Sequence, residues 1–304
     1  MDLSIIIPCY NVGNYIGKCL ESVSKLNLSY EIILVNDGST DHTAEIIHNF
    51  LNRYSGIIKV KNQSNYGQSK ARNVGMSMAE GEYLAFLDGD DYVNGNMLEK
   101  LVRMAGKDEV DIGFGDYVKR INGKYIPQKS VAIRHRKLKK CIDTMSGLEY
   151  AETAFNKWND YLSTEVCFCV FKRNFVEKEK LSFMEGIYHE DTLFFYQSIA
   201  RAKKVRLYNI LFYSYNIHGG TTTTSNELAL KRTRDLAVVA RELIDLKRKY
   251  DIQTYFMDSC IIDLIYRTRT ILGRKSKFYS LRDCVKLTIR ARIKYILLKI
   301  EGII

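Results

Sequence analysis

Short apolar runs alternate with stretches of helical periodicity through the first part of the chain. The apolar runs have the length of buried strands and lie at 4–7, 31–35, 57–60 and 83–87. Helices are predicted between them at 14–26, 40–53 and 68–79, with Ser39 or Thr40 as N-cap of the second. Because the strands are apolar on both faces and alternate with helices, the pattern predicts an α/β fold with a parallel sheet covered on two sides.

Polar side chains follow three of these strands at their carboxyl ends. The segments are 8–11, 36–41 and 88–91. Carboxyl ends of parallel strands meet at one edge, so Tyr10, Asp37 and Asp88 should converge on one crevice, where open α/β sheets bind ligands. Such a crevice could hold a nucleotide, with a ring to stack on the base and a carboxylate for the imide N–H of uracil. The Asp-Gly and Ser-Thr chemistry of 36–41 also fits a plain turn and helix cap, and both interpretations can hold together.

Three carboxylates crowd into four residues at the end of the last strand. Asp88, Asp90 and Asp91 have no Lys or Arg within the cluster to offset their mutual repulsion. A hard divalent cation would offset it, held by one or two carboxylates while water and ligand phosphates complete its shell. The alternative is a solvated acidic turn that caps the next helix.

Basic residues precede the acidic strand. Gly67 can bring the backbone close to a ligand, and Lys70 and Arg72 open the following helix. Both cations could meet a phosphate or an Asp carboxylate near the strand end. For Arg72 a structural ion pair and a direct phosphate contact are equally compatible with the sequence.

Two further segments carry candidate chemistry. Glu190 and Asp191 open a predicted helix, where acids are stabilised by the helix dipole, so they could form an ordinary first turn. A strand predicted at 205–215 leads into a Gly-rich and Thr-rich loop at 216–225 that is a candidate flap. His218 in this loop could complete a metal shell, contact a diphosphate or simply be exposed.

The middle of the chain gives weaker signals. Strands are predicted at 111–118 and 166–171. A basic cluster at 134–140 is either a solvated loop or a phosphate-recognition segment.

The net charge of +11 points to an acidic partner, whether nucleic acid, anionic lipid or a phosphorylated substrate. Residues 274–304 contain nine Lys or Arg and two acids, so most of this charge lies at the C-terminus. A predicted helix at 278–300 carries an apolar stripe flanked by cations, which suits an anionic membrane surface. The alternative is that this helix packs on its own domain or on a second copy of the chain.

Seven cysteines without recurring spacing fit a reducing compartment. No apolar run reaches the roughly 18 residues of a spanning helix, and the first residues lack the pattern of a signal peptide. We therefore expect a cytoplasmic protein, peripheral on the inner face of the cell membrane.

Four motifs in order resemble the family 2 glycosyltransferases. They are Ser4-Ile-Ile-Ile-Pro-Cys-Tyr-Asn11, Val35-Asn-Asp-Gly-Ser-Thr-Asp41, Asn65-x-Gly67 with Ala71-Arg-Asn73, and Phe86-Leu-Asp-Gly-Asp-Asp91. The resemblance implies a GT-A fold, a Rossmann-like and mostly parallel sheet flanked by helices, and an inverting transfer from a nucleotide-sugar donor. The stretch around Glu190 and Asp191 resembles the family's Glu-Asp motif. The segment before His218 resembles the family's closing segment, but the Arg often seen there is absent and Asn216 stands near its place.

The resemblance also assigns site residues. Asp191 is expected to be the catalytic base with Glu190 in support, and Asp91 to support the turn. Asp90, with Asp88 and His218, is the expected site for Mn²⁺ or Mg²⁺, Asp88 also facing the ribose. The expected donor-binding set, with Asp37 on the uracil edge, is Pro8, Tyr10, Asn11, Asp37, Gly67, Lys70, Arg72 and Asp88.

The sequence thus predicts a catalytic domain at 1–220 and a helical C-terminal region at 221–304, with helices at 226–249, 253–272 and 278–300. The predicted reaction is metal-dependent transfer of a sugar, most simply from a UDP-sugar, to a hydroxyl of a glycan or lipid-linked glycan in bacterial surface polysaccharide synthesis. A homo-oligomer is compatible with the sequence, and a nucleic-acid partner is not expected.

One alternative function is that of a sugar-phosphate nucleotidyltransferase, but the Gly-rich phosphate loop of that class is missing after the first strand. Another is a non-catalytic basic binding protein for membrane or nucleic acid, although Asp88, Asp90 and Asp191 are all present.

Overall fold

Strands β1 to β9 of the described chain form one mixed sheet with helices on both faces. The computed structural model describes residues 1–54, 56–121, 124–126, 144–158, 164–218 and 229–272. The strands are β1 Leu3–Cys9, β2 Tyr30–Asp37, β3 Ile58–Gln63, β4 Tyr83–Phe86, β5 Tyr92–Val93, β6 Ile112–Ile121, β7 Lys124–Ile126, β8 Cys169–Lys172 and β9 Val205–Ile217. The helices are α1 Gly13–Val23, α2 Thr43–Arg53, α3 Gln68–Met78, α4 Gly95–Asp108, α5 Gly147–Trp158, α6 Arg173–Lys178, α7 Glu190–Arg201, α8 Ala229–Lys249 and α9 Tyr255–Leu272.

The strand order is β3-β2-β1-β4-β8-β6-β9-β5, with β7 paired to β6. The first four strands are parallel, as the alternation of apolar runs and helices predicted. Beyond them β8 runs antiparallel to both of its neighbours, β6 and β9 are parallel, and β5 is antiparallel to β9. The predicted α/β fold is therefore confirmed, with a mixed half that the sequence did not specify.

Several element boundaries differ from the prediction by up to three residues, among them the starts of α2 and β8. Helix α2 begins at Thr43 rather than at residue 40, and His42 occupies its N-cap position, so the prediction of Ser39 or Thr40 as the cap was wrong. The Asp41 carboxylate accepts the Thr43 amide instead, at 3.0 Å. The strand predicted at 166–171 starts only at Cys169, because residues 166–168 form a turn of 3₁₀ helix.

The core consists of two apolar layers, one on each face of the sheet. Consecutive residues of a strand point to opposite faces, so Ile5 and Ile7 pack with α1 and α4, whereas Ile6 packs on the other side. Val239 of α8 and Phe256 of α9 belong to the same apolar layer as Ile6. The described C-terminal helices therefore join the apolar layer on this side of the sheet, where α8 packs on α7 and α9 packs on α8 and α5. The predicted domain boundary at 220 stays a prediction.

Three predicted features lie outside the described residues: the basic cluster at 134–140, residues 219–225 of the loop after His218, and the helix at 278–300. Within the described part of the chain, no helix is both long and apolar enough to cross a bilayer.

A buried ion pair joins the two C-terminal helices. Lys247 Nζ of α8 donates to a carboxylate oxygen of Asp258 in α9, and both side chains are almost completely removed from solvent. Removing one partner of such a pair leaves an uncompensated buried charge, which costs far more than the loss of an exposed pair.

We expect Asp258→Ala to lower the free energy of unfolding by about 3–5 kcal/mol in urea denaturation. Asp245→Ala on α8 is the matched control, since Asp245 pairs with Arg248 on the surface, and exposed pairs contribute only about 0–1 kcal/mol. Equal losses in the two variants would contradict a stabilising role for the buried pair.

Candidate active site

The sheet brings the three predicted polar segments to one edge. In the β1–β2 register Cys9 lies opposite Asn36, which places Tyr10 beside Asp37. On the other side of β1, Ile6 lies opposite Phe86, and the Leu87 amide donates to the Ile6 carbonyl at 3.0 Å, so Asp88 follows at the same edge. Tyr10, Asp37 and Asp88 therefore lie at one edge of the sheet, as parallel pairing predicted. Their role in ligand binding stays a prediction.

Two members of the predicted donor set shape the first loop. Pro8 is buried inside β1 opposite Val35. Asn11 has a left-handed backbone, with φ of 51°, and its Oδ1 accepts the Thr40 amide at 2.8 Å. Asn11 therefore connects the loop after β1 to the loop after β2. Tyr10, which precedes Asn11 in the first of these loops, is 48% exposed, so its ring is available to a ligand.

Asp37 is an anchor for the loop after β3. Its Oδ1 accepts Gln63 Nε2 at 2.7 Å and the Tyr66 amide at 2.9 Å, and its Oδ2 accepts the Gly67 amide at 2.8 Å. Gly67 adopts φ of 92°, a conformation that favours glycine. A carboxylate has about four acceptor positions, so one remains on Oδ2. The sequence suggested the ligand role but not this structural one.

Arg72 joins the acidic strand end to the Glu190-Asp191 segment. Its Nη2 donates to Asp88 Oδ1 at 2.9 Å and its Nη1 to Glu190 Oε1 at 2.8 Å. The side chain is only 3% exposed and lies over the ring of Phe183. Of the two interpretations left open by the sequence, the structure thus shows the ion pair. Lys70 lies on the surface, 3.2 Å from Glu185.

The three carboxylates after β4 have different surroundings. Asp88 Oδ1 also accepts Gln68 Nε2 at 3.1 Å, and Asp90 Oδ2 lies 3.0 Å from His218 Nε2. Asp91 is fully buried: its Oδ2 accepts the Tyr213 hydroxyl at 2.7 Å and its Oδ1 accepts the Asn216 amide at 2.7 Å. Asp91 therefore holds β9 against the turn, in agreement with its predicted supporting role.

Burial and neighbouring negative charge disfavour the charged forms of Asp90 and Asp91. Burial, together with the charge of Asp88, raises the pKa of Asp90, and the hydrogen bond from His218 partly offsets the rise. Burial raises the pKa of Asp91 to about 8, and the charges of Asp88 and Asp90 add to the effect. Burial is the first cause of both pKa shifts and the neighbouring carboxylates add to it, and a divalent cation bound here would oppose both effects.

The residues present fit a cation whose shell is completed by a ligand. Among the described residues there is no ready cage of three or more His, Cys, Asp or Glu side chains. Asp90 and His218 instead form a pair with Asp88 two residues away, as suits Mg²⁺ or Mn²⁺ held by one or two carboxylates and by phosphates. The His218 ring also stacks on Tyr15 with centroids 4.2 Å apart, a contact for which the sequence gave no signal.

Asp191 lies in the first turn of α7, next to the Arg72 bridge. Its Oδ1 accepts the Thr192 amide at 2.7 Å. Burial raises the pKa of Asp191 to about 7, the neighbouring Glu190 adds to the rise, and Arg72 opposes it. A carboxylate that exchanges its proton near neutral pH is well matched to general base catalysis.

Comparisons with known proteins identify the family. A sequence model of the family described as "Glycosyl transferase family 2" matches residues 4–179. The chain belongs to this family. The matched region contains the polar ends of β1, β2 and β4 and Arg72, but it ends before Glu190 and Asp191. The roles of those two residues therefore stay predictions.

Two bacterial relatives are named as uncharacterised glycosyltransferases. YibD of Escherichia coli is 29% identical over 259 residues, covering 82% of this chain and 72% of YibD. EpsJ of Bacillus subtilis is 32% identical over 225 residues, covering 73% of this chain but only 62% of EpsJ. The chain thus spans less than two thirds of the second relative.

The crystal structure of Staphylococcus aureus TarS residues 1–349 in complex with UDP-GlcNAc is similar to this glycosyltransferase, with a TM-score of 0.69. It shares 22% identity and covers 98% of this chain and 79% of the TarS chain. At this identity the likeness concerns the fold, and it confirms the predicted GT-A architecture. TarS is named as a poly(ribitol-phosphate) β-N-acetylglucosaminyltransferase; in sequence it is 32% identical over 167 residues, covering 53% of this chain and 29% of TarS.

Proposed function

We propose that this glycosyltransferase moves a sugar from a UDP-linked donor to a hydroxyl group of a growing cell-surface glycan or lipid-linked glycan, with inversion at the anomeric carbon. The observation that carries the proposal is the buried bridge from Asp88 through Arg72 to Glu190. It links the donor crevice to the segment that contains Asp191. The UDP-GlcNAc bound by the structurally similar TarS supports the choice of a UDP-sugar.

The donor nucleotide would lie at the carboxyl edge of β1, β2 and β4. Tyr10 would stack on the base, since its ring is half exposed beside the crevice. The acceptor position left on Asp37 Oδ2 would take the imide N–H of uracil. Cytosine carries no imide N–H at that position, so Asp37 would discriminate against it.

Asp90 and His218, with Asp88, would hold Mn²⁺ or Mg²⁺ beside the donor diphosphate. The cation supplies charge neutralisation to the departing diphosphate. Arg72 would contribute without touching the donor, because its Nη1 and Nη2 are engaged by carboxylates and its side chain is buried.

Asp191 would act on the acceptor. Its carboxylate takes the proton of the acceptor hydroxyl while that oxygen forms a bond to the anomeric carbon and the bond from carbon to the diphosphate oxygen breaks. UDP leaves on the face opposite to the attack, so the configuration inverts and no covalent intermediate forms. Glu190 would support the site, because its Oε1 accepts a hydrogen bond from Arg72.

The acceptor and the cellular location extend the proposal further. The names of the relatives that act on poly(ribitol-phosphate) support an anionic or carbohydrate cell-wall polymer as acceptor. The basic segment 278–300 would attach the enzyme peripherally to the inner, anionic face of the membrane.

Deleting residues 278–304 should abolish sedimentation with phosphatidylglycerol vesicles, and unchanged sedimentation would exclude this segment as the anchor.

We expect Asp191→Asn to lower kcat by about 10²–10⁴-fold, because the amide cannot take the proton. In the wild type, kcat should rise with pH through about 7, since the base acts only when deprotonated and burial raises the pKa of Asp191 to that value. Both the loss in kcat and its pH dependence are measured by release of UDP from UDP-glucose and UDP-GlcNAc in the presence of a polyol-phosphate or glycan acceptor. Glu177→Gln, at an exposed side chain of α6, is the control and should keep wild-type activity. A flat pH profile between 6 and 8 would exclude Asp191 as the base.

Mn²⁺ should strengthen the binding of UDP. The measurement is the thermal shift that UDP produces with and without Mn²⁺, compared with the shifts produced by GDP, CDP and dTDP. At a hundredfold excess over Kd, a ligand stabilises the folded state by about 2.7 kcal/mol. Asp90→Ala should remove the Mn²⁺ dependence while the variant still unfolds cooperatively. A shift that is the same with and without Mn²⁺ in both proteins would contradict the metal role of Asp90.

A further inference from the structure

The turn that leads into α7 is backbone-strained. Gly186 has φ of 81° and His189, the N-cap residue of α7, has φ of 67°. Left-handed backbone is readily adopted by glycine but costs free energy at a histidine, so it persists only where the surroundings enforce it. Glu190 and Asp191 follow directly, and their direction is set by this turn.

The near side of the turn is fixed by α3. Asn73 Oδ1 accepts the Phe183 amide at 2.9 Å, and Asn73 Nδ2 donates to the Phe183 carbonyl at 2.9 Å. Asn73 lies one residue after Arg72, so the same helix holds both the entry to the turn and the Glu190 carboxylate at its exit.

The far side is fixed by α8, a helix outside the family-matched region. The buried carboxylate of Asp235 accepts the Tyr188 amide at 2.9 Å through Oδ2. Lys231, one turn earlier, donates from Nζ to the Gly186 carbonyl at 3.2 Å and lies over the Tyr188 ring. Backbone amides at a helix entrance have no partner within the helix, and a charged acceptor binds them strongly.

We propose that Asp235 is a positioning residue for the catalytic base: by holding the Tyr188 amide, it fixes the left-handed turn from which Asp191 faces the acceptor. The proposal rests on the proposed function, in which Asp191 is the base. Asp235 touches neither donor nor acceptor. Its effect would be on geometry, and a misplacement of a reacting group on the order of 1 Å can cost about 10²-fold in rate.

The test compares Asp235→Ala with Asp235→Asn, which keeps an acceptor oxygen of the same reach. We expect Asp235→Ala to lower kcat for UDP release from UDP-glucose or UDP-GlcNAc by about 10-fold to 100-fold; the lower figure corresponds to about 1.4 kcal/mol in the barrier. The Kd for UDP should stay within about twofold, because the donor crevice lies on other elements. Asp235→Asn should recover most of the lost rate.

Two further readouts separate positioning from a general loss of folding. Hydrogen exchange of the Tyr188 amide should accelerate in Asp235→Ala, while the amides of β1 and β2 stay protected. Asp245→Ala, an exposed carboxylate on the same helix, should change neither rate nor exchange. In case Asp235→Ala does not fold, Lys231→Met removes the neighbouring contact from the surface and should give a smaller loss in kcat with unchanged UDP affinity.

Unchanged kcat in Asp235→Ala, or a loss of UDP affinity equal to the loss in rate, would overturn the inference. If Asp191→Asn is inactive while Asp235→Ala is fully active, only the positioning role fails. If the wild type releases no UDP from either sugar nucleotide in the presence of a polyol-phosphate or glycan acceptor, the proposed function fails, and the inference fails with it.

Discussion

The bridge made by Arg72 is the interaction on which the arrangement of the site depends. Its guanidinium contacts Asp88 from the first half of the chain and Glu190 from a segment more than a hundred residues later. A buried cation is tolerated only when it is paired, and here the two carboxylates are in turn held in place by the cation. A lysine could not reproduce this arrangement, because its single ammonium lacks the planar fork that reaches two carboxylates in different directions.

The sheet explains why the bridge is possible. The parallel strands β1, β2 and β4 deliver their polar ends to one edge, and α3 follows β3 so that its first turn lies beside Asp88. The mixed half of the sheet supplies the partners of the other two carboxylates, Asp90 and Asp91. Strand β9 returns Tyr213 and Asn216 to Asp91, and it leaves His218 beside Asp90. Each carboxylate after β4 therefore has its own partner, and the three can differ in role although they are adjacent in sequence.

The described C-terminal helices contribute to this arrangement. Their apolar faces complete the layer that covers one side of the sheet, and Asp235 reaches the turn before α7. The sequence predicts α8 only as a helix, and the tertiary structure places it next to the segment that contains the proposed base.

Much of the first half of the fold followed from the sequence. Local patterns of apolar residues determine short buried strands and the helices between them, and parallel pairing then forces the polar strand ends together. Tyr10, Asp37 and Asp88 were therefore correctly placed at one edge of the sheet. The motif at Glu190 and Asp191 could be recognised in the sequence, but its position in the fold could not be predicted. Nothing in its local pattern specifies which distant residues it contacts. The partners of Arg72, the stacking of Tyr15 on His218, the loop-anchoring role of Asp37 and the contact from Asp235 were decided by tertiary structure. Each depends on side chains brought together across long stretches of sequence, and such contacts leave no periodicity or spacing in the sequence from which they could be predicted.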